Sequence, residues 1–116
     1  MPLIAIRTTV ELADSNRVPL LQECSKLVAQ HTGKPEAYVM TLLERVSAMT
    51  MGGTAAPACF VEVRGVGAFS GKQTASLSQA VCELLAERLG VSSRRIYLNF
   101  TGFDGSMWGF DGSTFG

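Results

Sequence analysis

Histidine is nearly absent from this chain, with His31 standing alone among 116 residues. A zinc centre needs a cluster of Cys, His or acidic ligands at close spacing, and a lone histidine provides none. A Ser/His or Cys/His triad would likewise have one unpaired candidate base. Cysteine is sparse too. Cys24, Cys59 and Cys82 are odd in number and far apart, with no C-x-x-C pair, so free thiols in a reducing compartment are expected. Excess charge of either sign is missing, because ten basic and ten acidic residues cancel. Without a basic surplus the chain is not built to neutralise phosphates, which excludes nucleic acid as a partner. Electrostatic attachment to a membrane is excluded on the same ground, and no apolar run approaches the length of a membrane span. No basic region leads into an apolar run of secretory length. A cytoplasmic location is therefore expected, any secretion being independent of a signal peptide.

Two apparent motifs also fall short. Gly65-Val66-Gly67 lies between a strand and a helix, but a dinucleotide fingerprint requires glycine where Ser70 stands and an acidic residue further on. The backbone amides of such a loop can still face a ligand. Asn99-Phe100-Thr101 matches the glycosylation sequon, which is accidental in a chain with no secretion signal.

Hydrophobic residues make up 47% of the chain and charged residues 17%, which fits one compact domain over residues 1–116 with a real core. Leu3 to Thr9 reads as a short strand rich in β-branched residues. Asp14-Ser15-Asn16 is a turn and helix N-cap signal. Leu20, Leu21, Cys24, Leu27, Val28 and His31 then recur at helical spacing. Gly33 ends that helix, Pro35 prevents its continuation, and Tyr38 to Leu43 is a second strand. The second half repeats the plan. Ala58 to Arg64 is a strand, Gly65 to Ala68 a loop, and Ser76 to Leu89 a helix burying Leu77, Val81, Leu84, Leu85 and Ala86 or Leu89. Gly90 caps it, and Arg95 to Phe100 is the fourth strand. The halves share one offset, since Gly33 to Gly90 and Val39 to Ile96 are both 57 residues apart (90 − 33 = 96 − 39). Pseudo-repeats of about 2–57 and 58–116 follow. The expected fold is α/β of the α+β kind, a duplicated β-α-β with two helices on one face of a four-stranded mixed sheet.

One layer of helices leaves a sheet face uncovered. The strands carry few charges, so other subunits are expected to cover it, and a near-neutral apolar chain does not repel its own copies. The tail from Gly102 to Gly116 holds Phe103, Trp108, Phe110 and Phe115 with only Asp104 and Asp111 as charges, a composition suited to packing against a neighbour.

Pro2 follows the initiator methionine and is small enough that Met1 is normally removed. The mature chain would then begin with a secondary amine, which is a base of unusual type. Burial at the start of an apolar strand disfavours its ammonium form, and a nearby Lys34 pushes the same way. A base poised near neutral pH suits proton abstraction beside a carbonyl. Lys34, between Gly33 and Pro35, has two readings. It is either a solvated lysine at a helix C-terminus or a carboxylate anchor at a pocket mouth.

Four stretches taken together are specific in order and spacing. They are Met1-Pro2-Leu3-Ile4, then Thr32-Gly33-Lys34-Pro35, then Leu84-Leu85-Ala86-Glu87-Arg88-Leu89 running on to Arg95-Ile96-Tyr97-Leu98-Asn99-Phe100, and the closing Gly112-Ser113-Thr114-Phe115. Over nearly its whole length the chain resembles the macrophage migration inhibitory factor family of the tautomerase superfamily. The resemblance implies a homotrimer whose sheets wrap a central channel, with sites at subunit interfaces. It implies a cofactor-independent keto–enol tautomerase, an intramolecular oxidoreductase acting on phenylpyruvate-like or dopachrome-like enol and keto acids. Pro2 would be the catalytic amine. Lys34 and the backbone amide of Val66 would hold the substrate carboxylate, and Tyr38, Trp108 and Phe115 would form the aromatic pocket. Tyr97 and Asn99 would come from the neighbouring subunit. The alternative is a cytokine-like secreted trimer with a receptor protein as partner and weak or vestigial tautomerase activity.

The sequence departs from the family pattern in places. Pro57-Ala58-Cys59-Phe60-Val61 keeps one cysteine where animal members carry C-x-x-C. Gly65 replaces a serine, Trp108 stands where a smaller residue is common, and Phe110 is the aromatic after the tail glycine. The stretches Glu11-Leu12-Ala13 and Glu44-Arg45 do not plainly keep the charges linked to receptor binding.

Overall fold

The computed structural model describes residues 2–116, so the expected removal of Met1 concerns a residue outside those described. Strand β1 (Leu3–Thr8) leads into helix α1 (Asp14–Thr32) and strand β2 (Met40–Arg45). Strand β3 (Cys59–Val66), helix α2 (Gly71–Leu89) and strand β4 (Ile96–Phe103) repeat that order, and a short hairpin of β5 (Gly109–Phe110) and β6 (Ser113–Thr114) closes the chain. The four main strands lie in the order β2-β1-β3-β4. Each β-α-β unit pairs its own strands in parallel, as a crossover helix requires. The two units meet through the antiparallel ladder of β1 and β3, which makes the sheet mixed.

The core forms where both helices bear on one sheet face. Leu20, Cys24 and Val28 of α1 and Leu77, Val81 and Leu85 of α2 are buried together with Ile4, Ile6, Val61 and Val63. The i, i+4 spacing of the helical residues and the alternation of the strand residues are the two periods that lay apolar side chains on one face. Thr32, absent from the expected apolar stripe, is buried at the end of α1 and satisfies its hydroxyl on the Val28 carbonyl (2.6 Å). His31 lies at the helix–helix contact, its Nδ1 2.9 Å from Ser76 Oγ.

Several boundaries differ from the sequence reading. Helix α2 begins at Gly71 rather than Ser76, because Ser70 and Gln73 form a capping box in which each side chain satisfies the other's backbone N–H. Asp14-Ser15-Asn16 opens α1 from inside, with Ala13 at the cap and no capping side chain. Tyr38 belongs to a 3-10 turn over Glu36–Tyr38, so β2 starts two residues later than expected. Strands β3 and β4 run on to Val66 and Phe103, taking in Gly65 and Val66, which the sequence placed in a loop.

The sheet face without helices carries more charge than expected. Arg7 Nη1 and Arg64 Nη2 both donate to Glu62, the latter at 2.6 Å, and Glu44 lies 3.6 Å from Arg7. The Arg64 and Arg7 guanidiniums hold the Glu62 carboxyl below its ordinary value of 4.5. A carboxyl whose pKa falls on folding stabilises the native state above the unfolded value, and that contribution is lost as pH falls through the folded one. Glu62→Gln is therefore expected to lower the melting temperature at about pH 7. The gap to the parent chain should close as the pH is brought to about 2. Paired thermal melts across that range check this, and a gap independent of pH would contradict it.

Candidate active site

The ladders of β1 decide where Pro2 sits. Leu3 is opposite Met40 on one side and Arg64 on the other, and the Met40 N–H donates to the Pro2 carbonyl at 3.0 Å. Pro2 is thereby fixed one residue before the strand, between the start of β2 and the end of β3. Its side chain is less than 2% exposed. It lines a cavity of 430 Å³ together with Leu3, Tyr38, Met40, Trp108 and Phe115, among others.

The tail supplies most of the cavity wall. A 3-10 turn over Gly105–Met107, held by Asp104 accepting from the Ser106 N–H (2.9 Å), reverses the chain after β4. The Asp104 carboxyl is held below its ordinary value by these Ser106 hydrogen bonds, from the backbone first and then the hydroxyl. The hairpin then folds back so that the Phe115 N–H reaches the Gly105 carbonyl at 3.0 Å. Phe110 stacks on Phe115 with centroids 5.5 Å apart, and Tyr38 meets Phe110 edge-on at 5.5 Å. Trp108 is braced edge-on against Phe103 at 5.8 Å. Within the chain these rings pack on one another, while Phe110 remains about half exposed. Offset and edge-to-face pairs of this kind favour a fixed aromatic wall.

Lys34 and Val66 come together beside this cavity without lining it. Gly33 closes α1 in the left-handed region (φ 72°) and turns the chain out of the helix. Lys34 then extends across to β3, where its Nζ donates to the Val66 carbonyl at 2.8 Å. Among the described residues no carboxylate lies within ion-pairing distance of Lys34. Its charge therefore faces only a neutral partner. Val66 lies two residues beyond Arg64, the partner of Leu3, so the ammonium is at the Pro2 end of β1.

Tyr97 and Asn99 are not brought to the cavity. They project from β4 on the face away from the helices, opposite Phe60 and Glu62, and both are exposed. Met40 and Phe110 belong to the cavity although neither was among the expected site residues. Phe110 was legible as one of four aromatics in a glycine-rich tail. Met40 carried no signal beyond its place at the start of a strand.

Other groups are less suited to chemistry. Burial pushes the Cys24 thiol up to about 12 and raises Cys59 and Cys82 as well, so none is a poised thiolate. Among the described residues no three His, Cys, Asp or Glu side chains gather to hold a metal ion. A second, more open depression of 530 Å³ lies between Gly67, Phe69, Thr74, Phe100 and Phe103. Its only charged lining residue is Asp104, whose carboxyl is engaged by Ser106.

The family model described as macrophage migration inhibitory factor matches residues 1–116. A macrophage migration inhibitory factor homolog of Trichuris trichiura is 36% identical over 115 residues, covering 99% of this chain and 100% of the relative. The factor of Rattus norvegicus is 33% identical over 117 residues, covering 99% of both chains. The crystal structure of a homologue from Prochlorococcus marinus superposes with a TM-score of 0.92 at 42% identity, over 98% of this chain and 99% of that one.

An aromatic wall beside an ammonium suits a flat aromatic carboxylate. Trp108 is the sole tryptophan of the chain, so its fluorescence reports on the cavity directly. Phenylacetate is expected to quench it saturably. Lys34→Ala should weaken that binding by about tenfold or more, the size of a lost charge-assisted hydrogen bond. Phe110→Ala should weaken it by about 3–10-fold, the size of an aromatic pair. Titrations of the three proteins check this.

Proposed function

The chain belongs to the macrophage migration inhibitory factor family, and from that premise we propose that it is a cofactor-independent keto–enol tautomerase with Pro2 as its acid–base group. The observation that carries this reading is the seat of Pro2, buried in the lining of an aromatic cavity with the Lys34 ammonium at the same end of β1. Once Met1 is removed, the Pro2 nitrogen is a secondary amine, and burial favours its neutral, basic form. It moves a proton between carbon and oxygen of an enol or keto acid, so the reaction balances within the substrate.

The lining supports phenylpyruvate-like or dopachrome-like substrates, ring-bearing carboxylates that interconvert keto and enol forms. Aromatic walls orient a planar ring, and Lys34 with the Val66 backbone anchors the carboxylate. The positions of Tyr97 and Asn99 support a homotrimer. Both are exposed polar-tipped side chains on an edge strand, and within one chain they meet no cavity. In the trimer they complete the site of the neighbouring subunit. The unpaired edges of β2 and β4 supply backbone groups for that contact. No helix among the described residues is long and apolar enough to cross a membrane.

The test is ketonisation of phenylpyruvate enol by protein whose intact mass shows that Met1 has gone. Turnover is expected, and Pro2→Gly should lower kcat/KM by about 10²-fold or more, the scale of a general acid–base contribution. Full activity in Pro2→Gly would remove Pro2 from the mechanism.

A further inference from the structure

We propose that Gly102 positions the carboxylate anchor, by leaving room for the β3–α2 loop to lie against β4. The proposal rests on the anchoring role given above to Lys34 and Val66. Gly102 faces Gly65 across the β3–β4 ladder, and the next pair is Val66 with Phe103. A Cβ on Gly102 would stand 2.2 Å from the Gly67 carbonyl oxygen and 3.2 Å from its carbon. Both are backbone atoms, so no side-chain rotation relieves the clash. Gly102 does not adopt a left-handed conformation, unlike Gly67 at φ 88°, so what its position requires is space alone.

The segment that this space admits is the one bonded to Lys34. The peptide unit joining Val66 to Gly67 is held from both sides. Its N–H donates to the Phe103 carbonyl at 2.8 Å, and its C=O accepts from Lys34 Nζ at 2.8 Å. Gly67 follows immediately, with its own carbonyl against Gly102. Of the two sides of the clash, β4 is the firmer, since Phe103 is paired in the sheet and its ring braces Trp108. Gly67 and Ala68 are exposed, and a Cβ on Gly67 would meet nothing. A methyl at position 102 therefore displaces the loop, and the Val66–Gly67 peptide and the lysine bonded to it move together. Gly102 touches no substrate and acts through Lys34 and Val66.

An anchor that holds the carboxylate equally in ground and transition states changes KM and leaves kcat. Gly102→Ala should raise KM for phenylpyruvate enol by about tenfold or more with kcat within about threefold. The methyl ester of the same substrate, which carries no carboxylate, should be turned over alike by both proteins. A general structural defect would instead impair both substrates equally, and that result, or no change on either, overturns the proposal. Binding gives a readout independent of turnover. Phenylacetate affinity, read from Trp108, should fall about tenfold in Gly102→Ala while phenylacetamide affinity holds. Absence of turnover in the parent chain would defeat the tautomerase reading, and this binding split would still decide the role of Gly102. Should Gly102→Ala fail to fold by circular dichroism, the parent chain supplies the test. Phenylacetate, unlike phenylacetamide, should shift the amide resonances of Gly67 and Gly102, and unmoved resonances overturn the proposal.

Discussion

The whole arrangement depends on β1 being held by backbone hydrogen bonds along both edges. Its parallel ladder with β2 and its antiparallel ladder with β3 fix the strand in register over six residues on each side. Its residues alternate between a buried core face, with Ile4 and Ile6 fully covered, and the face bearing Arg7. A slip by one residue would exchange those faces, which makes the register strongly specified. Pro2 inherits its position from this register. It is held through its carbonyl, which accepts from the Met40 N–H, and through the pairings of the adjacent Leu3.

Around that fixed point, glycines and aromatics divide the labour. Rings from the tail and from the turn before β2 make the wall, while close backbone approaches set where the wall and the anchor stand. Gly105 and Gly116 pack so tightly that added Cβ atoms would meet backbone at 2.8 and 2.6 Å. The tail is thus bound to its own chain before any neighbour is considered. The charged residues on the other sheet face satisfy one another, with Glu62 between two arginines, so a partner covering that face would meet paired charges rather than bare ones.

Much of this was legible in the sequence. The helical stripes Leu20-Cys24-Val28 and Leu77-Val81-Leu85 carry a clean period, and they form most of the helices' share of the core. The common offset of 57 residues pointed to two like units. Boundaries were less legible. A capping box lengthened α2, and a 3-10 turn after Pro35 shortened β2, because such ends are decided by a few hydrogen bonds rather than by periodicity. Charge on the uncovered face was underestimated because Arg7, Glu44, Glu62 and Arg64 are scattered in sequence and gather only through strand pairing. Within the candidate site, Pro2, Lys34, Val66, Tyr38, Trp108 and Phe115 were singled out through resemblance. The contribution of Met40 and the close approach at Gly102 depend on distances that no pattern of residue types encodes.

The central claim is that a free Pro2 amine faces the aromatic cavity. It is tested most directly by mapping covalent capture with a conjugated alkynyl 2-oxo acid. A neutral amine adds to the activated triple bond of such a reagent, so the adduct carries the whole mass of the reagent and nothing leaves. Peptide mapping should place one equivalent on the nitrogen of Pro2 in protein lacking Met1, with excess phenylacetate slowing the labelling. Labelling that instead falls on a cysteine or Lys34, or that phenylacetate does not slow, would contradict the account.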